Sequence, residues 1–268
     1  QLVQMITSTS TERKAMGIPI LPEVLYYDNL PVYGAYQKDI RLLPVGIDVE
    51  NLQVQYLNVN DGPRLIIGLN GMGRTNTLKN IIRHLMDYHE KIFIFDAKNR
   101  GLEQFENNSA LFYAADNEQI KERMTSICSL LQERKQEFEE KHQKDSKVTL
   151  REYGTQISPV FVLIDVIQDL VERMAELGII ELMDKLEDSY RYGIYIVASA
   201  DVKLRAGKSR LTALLSESKS GVVLGNAKDQ TIFDAIGMRE RNAQVDFGYM
   251  ARPGNLQKMK LITYRETN

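Results

Sequence analysis

The sequence is poor in most of what would announce a specialised chemistry. It has one cysteine, Cys128, no tryptophan and only three scattered histidines. A lone thiol excludes an internal disulfide and suits a reducing compartment. Three dispersed histidines and one cysteine offer no zinc-binding spacing. No apolar run approaches the roughly 18–20 residues of a membrane-spanning helix, and the N-terminus carries no signal-peptide pattern. A basic excess is missing too. The formal net charge is −2 and the isoelectric point is near 6.0, with Lys and Arg spread along the chain. Binding to a nucleic-acid backbone needs a concentrated basic face, so nucleic acid is not an expected partner. What the chain does have is length and apolar content. Its 268 residues, 43% of them hydrophobic, suffice for one large α/β domain with an appendage or for two small domains. Because it begins with Gln1, it reads as a fragment of a longer protein, and a soluble fragment leaves open whether the parent sits in a membrane.

Punctuation by Pro, Gly and Asp divides the chain. Residues 1–31 read as an N-terminal linker, with a Ser/Thr-rich middle and three prolines in "IPILPEVLYYDNLP" that forbid a regular helix. Residues 32–60 hold the alternating runs "PVYGAYQ", "LLPVGID" and "VQYLNVN", expected as a small antiparallel β-rich segment packed on the main domain. From Asp61 to Asn268 strands and helices alternate. The strand candidates are Leu65–Leu69, Ile92–Asp96, Leu111–Ala114, Val160–Asp165, Ile194–Ser199 and Val222–Leu224, near-continuous apolar runs of the kind buried on both faces. Helices are expected over Thr75–Met86, over Asp116 to about Lys144 with an Asp116/Gln119 capping box, and over Val166–Leu186 with a bend near Gly178. The segment "VDFGYMARPGNLQKMKLITYR" reads as a hairpin turning at Pro253-Gly254. This alternation predicts an α/β fold with a mostly parallel, doubly wound sheet and helices on both faces.

The segment "LIIGLNGMGRTN" carries the chemistry. From Gly68 it matches the phosphate loop G-x-x-x-x-G-K-[ST] except that Arg74 replaces lysine. It follows a buried strand and opens a helix, the setting in which backbone N–H groups converge on an anion. The candidate nucleotide-binding residues are Gly68, Asn70, Gly71, Gly73, Arg74, Thr75 and Asn76. Arginine keeps the lysine's charge but is longer, planar and suited to bidentate contacts. It either holds a phosphate in a shifted position or folds away from the loop. Thr75 stands where a hydroxyl would reach Mg²⁺, and Asp165, after the apolar run "VFVLI", is the matching metal-linked carboxylate. The next residue is Val166, where hydrolysis needs a carboxylate to activate water. Loss of a general base costs about 10²–10⁴-fold in rate. Asp96 and Asp169 are the nearest substitutes in sequence, each more simply read as a strand-end or helix-start carboxylate. A second Gly-Lys-Ser, in "AGKSR" at 206–210, has Val202 where the first glycine belongs and shows no helix start, so it is read as a basic loop.

The order of "RLIIGLNGMGRTNTLKNII", "KIFIFDAKNRGLEQF", "VFVLIDVIQDL", "IYIVASADVKL" and "VDFGYMARPGNLQKMKL" resembles the FtsK/SpoIIIE branch of RecA-like ATPases. Within that branch it is most similar to the last ATPase-like domain of the EssC-type coupling ATPases of type VIIb secretion, through nearly the whole chain. The resemblance implies a RecA-like P-loop fold and tandem ATPase domains in one polypeptide. It also implies ATP with Mg²⁺, bound weakly at most, as the cofactor. Implied partners are the preceding ATPase domains and secreted helical-hairpin proteins, with hexamer formation by a membrane-anchored parent whose ATPase domains are cytoplasmic. The family's catalytic glutamate falls on Val166, and its Ala-Thr-Gln sensor strand end falls on Ala198-Ser199-Ala200. With Arg74, these departures point to a degenerate ATPase with a docking or regulatory role. The alternatives are a working ATPase that uses Arg74 in place of lysine and a DNA translocase.

Overall fold

Short runs of Val, Ile, Leu and Phe between turn residues build a single sheet. The computed structural model describes residues 20–34, 39–205, 207, 209–235 and 244–266. Its strands are β1 (Leu25–Tyr26), β2 (Leu42–Asp48), β3 (Val54–Asn58), β4 (Arg64–Gly68), β5 (Lys91–Phe95), β6 (Leu111–Ala114), β7 (Val160–Ile164), β8 (Ile194–Ala200), β9 (Gly221–Leu224), β10 (Phe247–Arg252) and β11 (Asn255–Thr263). Among the described residues they form one 11-stranded sheet in the order β3-β2-β11-β10-β9-β4-β8-β7-β5-β6, with β1 pairing to β11. The block from β9 to β6 is parallel. The β10–β11 hairpin turns at Pro253-Gly254 and joins that block to the antiparallel pair β2–β3. The sheet is therefore continuous from the N-terminal segment to the parallel core.

The helices are α1 (Arg74–Asp87), α2 (Asn117–Lys144), α3 (Leu150–Gln156), α4 (Ile167–Glu176), α5 (Glu181–Asp184) and α6 (Arg210–Ser216). Alternation along the buried strands decides which face each helix covers. Leu65, Ile67, Phe93 and Phe95 pack with Ile120, Met124, Ile127 and Leu131 of α2, Leu170 and Met174 of α4, and Leu211 and Leu215 of α6. Ile66, Ile92 and Ile94 point the other way, against Leu78, Ile81, Ile82 and Leu85 of α1. Helices thus cover both faces, as the apolar runs predict.

Four expectations change. The helix expected over Val166–Leu186 is broken rather than bent: α4 stops at Glu176 and Gly178 takes φ 66°, before the short α5. The "PVYG" start of the lead-in is not extended, because Pro31 lies within a 3₁₀ segment, Tyr27–Tyr33; residues 35–38 lie outside the described residues. Helix α3 forms where none was expected, nucleated by a reciprocal Thr149/Glu152 capping box. The "AGKSR" segment does contain a helix start, since Ser209 caps α6 by accepting from the Thr212 N–H at 3.2 Å. That hydroxyl is committed to the cap, and Lys208 lies outside the described residues.

Residues 25–33 form a strap against α1. Leu25 and Leu30 are fully buried with Ile47 and Ile262. Asp28 accepts from Arg83 of α1 at 2.7 Å and from Arg265 at 2.9 Å. Beneath them Tyr27 Oη lies 2.7 Å from His84 Nδ1, and Nε2 of His84 has no partner among the described residues. Burial lowers the His84 pKa from 6.5 to about 4. Between those values the unfolded chain takes up a proton that the folded chain refuses, so stability falls as pH drops through that window and is fully present above it. Denaturant titrations from pH 7 to pH 4 should show the native chain losing up to about 3 kcal/mol more than His84→Gln, which keeps an acceptor but does not titrate. Parallel pH profiles would contradict this assignment.

Candidate phosphate-binding site

The carboxyl ends of the parallel strands bring the candidate residues to one edge. The loop leaves β4, Asp165 leaves β7, and β8 lies between them, with Ser199 beside Ile66 on one side and Ala198 beside Ile164 on the other. Glycine is required where the loop turns: Gly71 takes φ 81° and Gly73 takes φ 96° as the N-cap of α1. Gly68 is needed for a different reason, since a Cβ there would stand 2.8 Å from both the Cβ and the carbonyl oxygen of Leu224. Asn70 and Gly71 are exposed, and Thr75 and Asn76 half-buried.

Arg74 folds inward. It is 9% exposed, its Nη1 has no hydrogen-bond partner, and no carboxylate pairs with it among the described residues. A buried guanidinium without a counter-charge is costly, and an anion is the group that would complete it. The Asn76 side chain is used otherwise. Its amide donates to the Ile262 carbonyl at 2.7 Å and accepts from the Tyr264 N–H at 2.8 Å, tying α1 to β11. Of the seven predicted loop residues, Asn76 therefore holds the scaffold through its side chain.

Thr75 and Asp165 meet as the motif spacing implies. The Thr75 hydroxyl donates to Asp165 Oδ2 at 3.0 Å. The other carboxylate oxygen accepts from Ser199 Oγ at 2.7 Å, and the same serine oxygen accepts the Val166 N–H at 2.8 Å. The Asp165 and Ser199 side chains are sealed, 3% and 0% exposed, while Thr75 is half-buried. Val166, at the place of the missing carboxylate, takes φ 55°. For a β-branched residue this is strained backbone, costing on the order of 1–3 kcal/mol, and the Ser199 bond helps to hold it.

Neither substitute carboxylate is free. Asp96 is 1% exposed, and its Oδ2 accepts from the Leu102 N–H at 2.7 Å and from the Tyr113 hydroxyl at 3.1 Å. Burial raises its pKa, with the Leu102 N–H opposing. The Leu102 bond closes the loop 97–101 over the Thr75–Asp165 pair. Gly101 packs so closely there that a Cβ would lie 2.8 Å from Thr75 Cγ2 and 3.3 Å from Asp165 Oδ2. Asp169 pairs with Lys98 at 3.7 Å, and burial raises its pKa against that lysine's pull. Sequence reasoning noted Ser199 only as a departure from a family pattern and did not single out Gly101. The "RG" step after the second strand was the available signal.

No family model matches this chain. The ESX secretion system protein EccC of Geobacillus thermodenitrificans (strain NG80-2) is 24% identical over 253 residues, 92% of this chain and 17% of that protein. The chain thus spans about a sixth of the curated relative's length. Among solved structures, the cytoplasmic domain of EssC superposes with a TM-score of 0.79 at 21% identity, covering 98% of this chain and 51% of that one. Thermomonospora curvata EccC (ATPases 2 and 3), in complex with a signal sequence peptide, gives 0.66 at 18% identity, covering 99% and 47%. The chain resembles an EssC-type ATPase domain. The fold is RecA-like, as the family resemblance implies, with the mostly parallel sheet that the strand-helix alternation predicts.

Ser199 is the residue on which this EssC-like edge depends. Replacing it with alanine leaves both a buried carboxylate oxygen and the Val166 N–H without a partner. Ser199→Ala should lower unfolding free energy by about 2–4 kcal/mol with an unchanged denaturant slope. A loss below about 0.5 kcal/mol would show that the bridge contributes nothing beyond packing.

Proposed function

We propose that this chain is a degenerate ATPase module of a type VII secretion motor, acting as a docking or regulatory element rather than as an engine. The observation that carries the reading is Val166. At the position where hydrolysis needs a base stands an apolar side chain on strained backbone, its N–H held by Ser199. The buried, unpaired Arg74 supports retention of a phosphate group at the loop. Asp96 and Asp169, the carboxylates able to compensate, are engaged by Leu102 and Tyr113 and by Lys98. If ATP binds, the loop N–H groups and Arg74 orient its phosphates, with neither Asp96 nor Asp169 free to take a proton from water.

The similarity to EssC and EccC supports the remaining assignments. We place the module beside preceding ATPase domains of the same polypeptide, in the cytoplasmic part of a membrane-anchored parent that assembles as a hexamer. Its partners are secreted helical-hairpin proteins. In the described residues no helix is long and apolar enough to cross a membrane.

Steady-state phosphate release by the purified chain with ATP and Mg²⁺ tests the reading. We expect no turnover above background, against the ~1–10³ s⁻¹ typical of working enzymes. Turnover that Asp165→Asn abolishes would instead establish an active ATPase.

A further inference from the structure

The phosphate side and the metal side of this loop are in opposite states. Arg74 is buried and cationic, with no partner for Nη1 and no paired carboxylate among the described residues, whereas the groups that would hold magnesium already hydrogen-bond each other. Asp165 accepts on both oxygens, from Ser199 and from Thr75. A hydroxyl that donates to a carboxylate still has lone pairs to offer a metal, so these bonds alone leave room for an ion. Gly101 narrows that room on the side of the covering loop. A single methyl built on it would reach 3.4 Å from Thr75 Oγ1, 3.3 Å from Asp165 Oδ2 and only 2.8 Å from Thr75 Cγ2. Magnesium demands octahedral coordination at about 2.0–2.1 Å and keeps several waters, a volume well beyond one methyl.

The covering loop is fastened at several points. Asp96 accepts the Leu102 N–H at 2.7 Å, and Arg100, at φ 49°, donates to Glu106 at 2.7 Å. Val166 supplies no second carboxylate to hold metal-bound water. Electrostatics point the same way: an uncompensated buried cation attracts a polyphosphate most strongly when magnesium has not neutralised part of its charge. Arginine's planar fork presents two parallel N–H donors to a phosphate in a fixed geometry, where a lysine offers a compact point charge.

We infer that this loop takes nucleotide phosphates as a metal-free anion, with Arg74 supplying the contact that lysine and magnesium share in working relatives. The inference rests on the reading of the loop as a phosphate site and goes beyond it in excluding the metal. Isothermal titration of the 268-residue chain with ADP, and separately with inorganic pyrophosphate, tests it in EDTA and in excess MgCl₂. Both ligands should bind in EDTA, and magnesium should weaken them by about tenfold. Arg74→Met should lose roughly 10- to 100-fold in affinity while melting no lower than the native chain, and Arg74→Lys should recover only part of that loss. Binding that requires magnesium would overturn the inference and leave the phosphate site standing. Absence of binding in both buffers would overturn both readings. So would an Arg74→Met variant that binds as tightly as the native chain.

Discussion

A buried bridge of three side chains organises the functional edge of this protein. Ser199 donates to one oxygen of Asp165, Thr75 donates to the other, and Ser199 also accepts the backbone N–H of Val166. Through it the phosphate-loop helix, the central strand and the strand that ends in Asp165 become one hydrogen-bonded unit. Hydrogen bonds to a buried carboxylate are individually modest but costly to leave unmade. The bridge therefore fixes the position of the loop, of the carboxylate and of the strained residue beside it.

The same bridge, made of protein groups alone, needs no nucleotide to hold this edge together. The sheet is held by apolar layers on both faces, and none of that burial depends on a nucleotide. At the edge, protein groups satisfy the carboxylate that a metal ion would otherwise engage. Strain at Val166 is compatible with this arrangement, because burial and the Ser199 bond offset it locally. Nη1 of the buried Arg74 has no partner among the described residues, and a buried cation without a counter-charge is a physical reason for the loop to attract an anion. The strap of residues 25–33 grips the far end of the same helix through Asp28, Arg83 and the Tyr27–His84 pair, so the segment leading into the domain and the phosphate loop act on one rigid element.

Much of this was legible from residue order. The six parallel strands lie within a residue or two of the apolar runs that predict them, because strands buried on both faces leave a continuous signal. The strand-turn-helix at Arg64–Asp87 and the Thr75–Asp165 pairing follow from a motif whose spacing encodes them. Helices α3 and α6 were hidden for a different reason. Each is a single short amphipathic stretch, recognisable only by its Thr149 or Ser209 cap. Ser199 and Gly101 were hidden because their roles depend on which strands are neighbours. Nothing in "VASA" says that its serine will bridge Asp165 and the Val166 N–H, and nothing in "KNRG" says that its glycine will close over Thr75 and Asp165. The burial of Arg74 likewise emerges only in three dimensions, where the sequence left two orientations open.

The most direct test is a crystal structure of the chain grown with a non-hydrolysable ATP analogue and excess magnesium. The account predicts that the Thr75–Asp165 and Ser199–Asp165 hydrogen bonds persist, with any bound phosphate held by the loop and Arg74. A magnesium ion seated between Thr75 and Asp165, with Gly101 displaced and a carboxylate set against a water near the γ-phosphate, would contradict it.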